Sequence, residues 1–158
     1  MKYLLDTNIF ITSENYIPRD IFPSFWAKLA DALLDGTAIL HQTVFDELNQ
    51  KKDPLIKWIK GLKMKPMQPD DDTIKQYLEV CGWAQKQPYD KAAIRTFQSN
   101  DRADAWICAQ GLASGLCVVT YEVPSNSPRV VKIPTVCDAL GIDWLNGFDF
   151  MRQQHFRF

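Results

Sequence analysis

Residues 101–122 read DRADAWICAQGLASGLCVVTYE, and they contain two elements in succession. Ala105, Cys108, Ala109 and Leu112 recur at helical spacing in a helix beginning near Asp101, and Gly115 is a carboxy-terminal stop for it. Leu116 to Thr120 is then a continuous apolar run, the pattern of a buried strand, with Glu122 just beyond its end. A helix feeding into a wholly apolar strand is the building unit of a layered α/β domain with a parallel sheet.

The flanking chain repeats that alternation. Lys2–Leu5 is a short apolar strand that stops at Asp6-Thr7-Asn8, and Thr37–Leu40 is another. Between them Phe22, Trp26, Leu29 and Leu33 mark a helix, with Pro23 near its start and Gly36 past its end. Thr43 is expected to cap the next helix, with Asp46 in the capping-box position. Leu55, Ile59 and Leu62 form one face of a lysine-rich helix ending before Pro66. Asp70, Asp71 and Asp72 open a further helix with Ile74, Tyr77, Leu78 and Cys81 on one side. A short helix is expected over Ala92–Phe97, a weaker strand over Arg129–Ile133, and a helix from Pro134 to Leu140. The pattern predicts a three-layer α/β/α sandwich around a central parallel sheet. It forms one domain over residues 1–158, with 123–158 as a strand-and-helix extension; 158 residues suffice for one core.

Composition narrows the class. An apolar share of 46% with 23% charged residues fits a globular protein. No segment approaches the roughly 20 apolar residues of a membrane span, and Asp6 and Asn8 break the amino terminus where a secretory signal would be apolar. Cys81, Cys108, Cys117 and Cys137 are scattered without a Cys-x-x-Cys pair, so reduced core thiols and a cytoplasmic setting are expected. The net charge of −1 makes the whole chain no electrostatic trap for nucleic acid. Locally, Lys51 to Lys65 carries six lysines against Asp53 alone. There Lys57, Lys60 and Lys63 are equally a solvated helix face and candidate RNA contacts.

The acids carry the functional reading. Groups that act in open parallel sheets gather beyond the carboxyl ends of the strands. Asp6 ends the first strand, Glu47 lies one turn into the helix after the second, Asp104 begins the helix feeding the strand 116–120, and Glu122 follows that strand. Two carboxylates about 4 Å apart repel by roughly 4 kcal/mol at an effective dielectric of about 20. Such a cluster therefore holds protons or cations. Oxygen ligands, with two histidines in the whole chain, select Mg2+ or Mn2+ over zinc. A pair of such ions about 3.5–4 Å apart can activate a water and steady the leaving oxygen of a phosphodiester.

Each acid also has a structural reading. Asp6 could start a turn, Asp101 and Asp104 could be a cap and its box partner, and Glu122 alone would pass for a solvated loop residue. His41 is expected to make a structural hydrogen bond. The tail residues Arg152, His155, Phe156, Arg157 and Phe158 could stack on bases, or dock on the domain or a second subunit. It is the order and spacing of the acids as a set that favours function.

The order Leu4-Leu5-Asp6-Thr7-Asn8-Ile9-Phe10, Val44-x-x-Glu47-Leu48, Ala103-Asp104-Ala105-Trp106-Ile107-Cys108-Ala109 and Val118-Val119-Thr120-x-Glu122 resembles the PIN domain. That fold is shared by VapC-type toxin ribonucleases, and the resemblance runs from Lys2 to about Glu122. Tyr3-Leu4-Leu5-Asp6-Thr7-Asn8, Phe25-Trp26 and Val131-Lys132-Ile133-Pro134-x-Val136-Cys137 further resemble an uncharacterised bacterial branch of PIN-like proteins. The resemblance implies that Asp6, Glu47, Asp104 and Glu122 bind metal and catalyse and that Thr7, Asn8 and Thr120 brace them; Asp101, one turn before Asp104 on the expected helix, is an extra candidate ligand. It implies a Mg2+- or Mn2+-dependent ribonuclease acting on RNA, with an antitoxin protein and a homodimer as candidate partners. The chain departs from the family at the fourth acid, where Asp is usual and Glu122 stands. A non-catalytic PIN-like module that binds RNA or protein is the alternative. A haloacid-dehalogenase-type phosphatase is disfavoured, because its second Asp would fall at Asn8.

Overall fold

The computed structural model describes residues 1–158. Nine helices surround four strands in the order β1 (Tyr3–Leu5), α1 (Thr7–Tyr16), α2 (Pro23–Leu34), β2 (Ala38–Ile39), α3 (Gln42–Asn49), α4 (Pro54–Gly61), α5 (Asp71–Gln85), α6 (Lys91–Phe97), α7 (Asp104–Ser114), β3 (Cys117–Thr120), α8 (Ile133–Leu140), β4 (Trp144–Asn146) and α9 (Gly147–Gln153). The sheet is parallel throughout, in the spatial order β2-β1-β3-β4. It is the centre of a three-layer α/β/α fold in which α5, α7 and α8 pack together and α1, α3 and α4 form another group. No helix is long and apolar enough to cross a membrane.

The two middle strands are buried at every position, from Tyr3 to Leu5 and from Cys117 to Thr120, as apolar runs covered on both faces must be. Their register sets Leu5 beside Val119, and the Asp6 amide donates to the Val119 carbonyl at 2.9 Å, so β1 and β3 end together. All four cysteines are buried free thiols. Gly115 takes the left-handed conformation (φ 65°) that stops α7 and turns the chain into β3.

Several expected elements differ. A ten-residue helix, α1, begins immediately after Asp6, which caps it; its apolar positions have little periodicity, so the sequence showed only a polar stop. The weak strand expected over Arg129–Ile133 is irregular chain, and Ile133 belongs to α8. The fourth strand is Trp144–Asn146, so the carboxy-terminal region is an integral edge of the sheet rather than an appendage. The cap of α3 is His41, not Thr43: Thr43 lies in the helix and its amide donates to His41 Nδ1, while Asp46 accepts from the Gln42 side chain. Helix α5 is rotated from the expected face, burying Thr73, Val80, Cys81 and Ala84 and leaving Ile74 and Leu78 exposed. The tail docks on its own domain, with Phe156 edge-on to Phe25 and Phe150.

Gly147, the first residue of α9, makes the junction of β4 with β3 tight: a Cβ there would land on the Tyr121 ring. That ring is restrained by a 3.0 Å hydrogen bond between its hydroxyl and Ser13 of α1. Gly147→Ala is therefore expected to lower unfolding stability by about 1–3 kcal/mol through overpacking. Urea unfolding checks this, and an unchanged midpoint would mean that the ring yields freely.

Candidate metal centre

Beyond the carboxyl ends of β1 and β3 a cleft of about 390 Å³ is lined by Asp6, Thr7, Asn8, Glu47, Asp101, Arg102, Asp104 and Glu122, with Gln50 and Lys51 at one side. Ile11 is its one apolar lining residue. All four acids singled out in the sequence thus line the same cleft, and Asp101 with them.

Each acid is held by the fold in its own way. Asp6 is 3% exposed; its Oδ1 accepts from the Thr7 amide at 2.7 Å and its Oδ2 from the Thr120 hydroxyl at 2.8 Å. The Thr120 oxygen in turn accepts from Asn8 Nδ2 and from the Glu122 amide. Asn8 closes the network by accepting from the Tyr121 amide at 3.1 Å. Thr7, Asn8 and Thr120 are therefore bracing residues in hydrogen-bonding fact. Glu47 Oε2 accepts from the Thr7 hydroxyl at 2.9 Å and the Ala103 amide at 3.0 Å, which ties α3 to the start of α7.

Asp104 is the first residue of α7, where the helix dipole favours a negative charge. Asp101 lies before that helix and is exposed, and the helix cap is Ala103 without a side-chain bond; the cap-and-box reading of Asp101 and Asp104 fails. Glu122 Oε2 accepts from the Ile133 amide at 2.8 Å, at the first turn of α8. The side chain spans from the end of β3 to that helix.

The electrostatics are those of crowded acids. Burial, then Asp104, then Glu122 push the Asp6 carboxyl well above the usual range, against the Thr120 and Thr7 hydrogen bonds. Burial, then Glu122, raise Asp104 to about 6, while Arg102 pulls the other way. Arg102 went unremarked in the sequence although it stands between Asp101 and Asp104. Its Nε lies 3.7 Å from Glu47 Oε1 and its Nη2 3.6 Å from Asp104 Oδ2, ion-pair distances too long for good hydrogen bonds.

The donor chemistry fits a hard divalent cation: carboxylate oxygens line the cleft, with no thiol or imidazole among them. In the arrangement seen, no three acidic side chains stand close enough to hold one ion; Glu47 and Glu122 each accept a hydrogen bond from a backbone amide. His41 is fully buried away from the cleft, bonded to Thr43 and Gln110, and burial lowers its pKa; it is a structural residue. Lys57, Lys60 and Lys63 are exposed, and none of them lines the cleft; Lys51 does.

The sequence model of a family described as a domain of unknown function, DUF4411, matches residues 3–158. The chain belongs to the DUF4411 family. Nothing among curated proteins matches it. The DUF4411 match takes in both the acid-bearing segments and the carboxy-terminal β4–α9 unit that completes the sheet.

An acid whose pKa rises on folding binds its proton more tightly in the folded chain. In chelator, the stability contributed by protonated Asp104 is full below about pH 4 and is lost as pH rises through about 6. Asp104→Asn should flatten that fall and raise metal-free stability at pH 8 by on the order of 2–3 kcal/mol. Denaturant midpoints from pH 4 to 8 check this. A variant that falls with pH as steeply as the parent would remove Asp104 from the strained set.

Proposed function

We propose that this DUF4411 protein is a PIN-type, Mg2+- or Mn2+-dependent ribonuclease that hydrolyses RNA phosphodiester bonds. The observation that carries the reading is the single cleft lined by Asp6, Glu47, Asp104 and Glu122, with two of these carboxyls held above their ordinary pKa. Carboxyls whose charged form is disfavoured by burial and mutual repulsion have an evident partner in a divalent cation.

On this reading Asp6, Glu47 and Asp104 hold one ion, and Asp104 and Glu122 help to hold a second. The ions supply Lewis-acid activation of water and stabilisation of charge on the phosphate. The chain's own part is orientation. The Thr7 amide and Thr120 hydroxyl aim Asp6, the Thr7 hydroxyl and Ala103 amide aim Glu47, and the Ile133 amide holds Glu122 at the cleft. Asp101, exposed at the rim, is an auxiliary ligand at most. Reduced buried thiols accord with a cytoplasmic setting. The PIN resemblance supports a toxin role, with an antitoxin covering the acid edge and a homodimer as the candidate assembly.

One observation favours a second reading, a PIN-like module that binds RNA or protein without cutting. No three acids converge as the side chains stand, and Arg102 already offers a cation between Glu47 and Asp104. Cleavage separates the two. Purified protein with Mn2+ is expected to cut single-stranded RNA, chelator to stop it, and Asp104→Asn to bring it to background while remaining folded. Folded protein that leaves RNA intact across a range of Mg2+ and Mn2+ would select the binding module.

A further inference from the structure

Next to the acid cleft, and sharing Arg102, Asp104 and Glu122 with it, is a second cleft of about 180 Å³. Its outer wall is the segment Arg129–Lys132, and Ala93 and Phe97 of α6 line it from beneath. This segment was expected as a strand, and its irregular path is what brings it here. It is pinned at one end by the Asp90 amide donating to the Pro128 carbonyl at 2.8 Å, and at the other by the Ile133 amide on Glu122. Val131 is buried between these anchors, which leaves Arg129 exposed and Lys132 half-buried along the cleft.

Neither cation makes an ion pair: the chain's four are made by Arg19, Arg102 (twice) and Arg152, and Lys132 acts on Asp104 only at longer range, lowering its pKa. Arg102 contributes to both clefts, its side chain 46% exposed and its contacts to Glu47 and Asp104 long. Three cations therefore border one side of the acid edge. A cleft with five acids against Arg102 and Lys51, on a chain of net charge −1, repels a polyanion on balance, so further cations placed locally are needed to bring a strand to it. The lysines of α4 do not meet that need, because they line neither cleft.

We propose that the second cleft is a phosphate-binding subsite for single-stranded RNA, in which Arg102, Arg129 and Lys132 hold the phosphate next to the one presented to the acids. This rests on the nuclease reading above and adds to it the direction in which the strand leaves the cleft. The two guanidinium groups suit paired hydrogen bonds to phosphate oxygens, and Lys132 adds a point charge. Thr96 is the one polar residue that α6 contributes to an otherwise apolar lining with Val130 and Val131, so the subsite reads mainly backbone charge rather than sequence.

The test is binding of fluorescently labelled single-stranded RNA to the full chain in chelator, where metal-dependent cleavage is silent, across a salt series. R129Q/K132Q is expected to weaken binding and to reduce the slope of log affinity on log salt by about 1.4, roughly 0.7 for each lost single-strand contact. R129K/K132R should restore the slope, and K57Q/K60Q/K63Q should leave it unchanged. Mn2+ affinity of R129Q/K132Q, read by calorimetry, should equal that of the parent. If the parent binds RNA and R129Q/K132Q binds with the same slope, the subsite is overturned and the nuclease reading stands. If the parent binds no single-stranded RNA at any salt, the subsite is overturned, while the nuclease reading is decided separately by cleavage with Mn2+.

Discussion

The carboxylate of Asp6, buried at the end of β1 and bonded to the hydroxyl of Thr120 at the end of β3, is the contact on which the rest of the site depends. It joins the two central strands at the point where both stop. The same carboxylate caps α1 through the Thr7 amide, so the first helix starts where the first strand ends, with no intervening loop. Thr7 and Asn8 are thereby fixed on opposite sides of Asp6. One reaches Glu47 and the other the Tyr121 amide, and the register of β1 on β3 becomes the geometry of four acids. The bond is also costly: a buried carboxyl beside two others is held away from its charged form, and the hydrogen bonds that aim it only partly offset that.

The remaining acids show how the fold manages the repulsion without a cation. Glu47 and Glu122 each take a backbone amide at a helix start, Ala103 before α7 and Ile133 in α8, where the exposed amide hydrogens favour anions. Arg102 supplies a half-exposed positive charge between Glu47 and Asp104.

Much of this was legible in the chain. The strands 3–5 and 117–120 are apolar at every position, and Gly115 marks where α7 must turn, so the parallel core could be read directly. Once those strands were aligned, Asp6, Glu47, Asp104 and Glu122 had to fall on one edge. What could not be read depends on contacts between distant segments. α1 has weak apolar periodicity because it is stapled by side-chain bonds at its first turn rather than by a strong stripe. The segment Arg129–Lys132 has the composition of a strand but is claimed by Glu122 and by the Pro128 carbonyl's bond to Asp90. The true edge strand, Trp144–Asn146, is short and half-buried, and carries no alternation to betray it. Glu122 itself was legible as an acid after a strand, while its bond to the Ile133 amide was not.

The central claim is that the acid edge is a divalent-cation site, and titration of Mn2+ into the metal-free protein, followed by calorimetry at neutral pH, addresses it most directly. The account predicts saturable binding at neutral pH, with protons released when the titration is repeated near pH 6, where Asp104 is partly protonated and must ionise to take a metal. The absence of any saturable heat up to millimolar Mn2+, in protein shown to be folded, would contradict it.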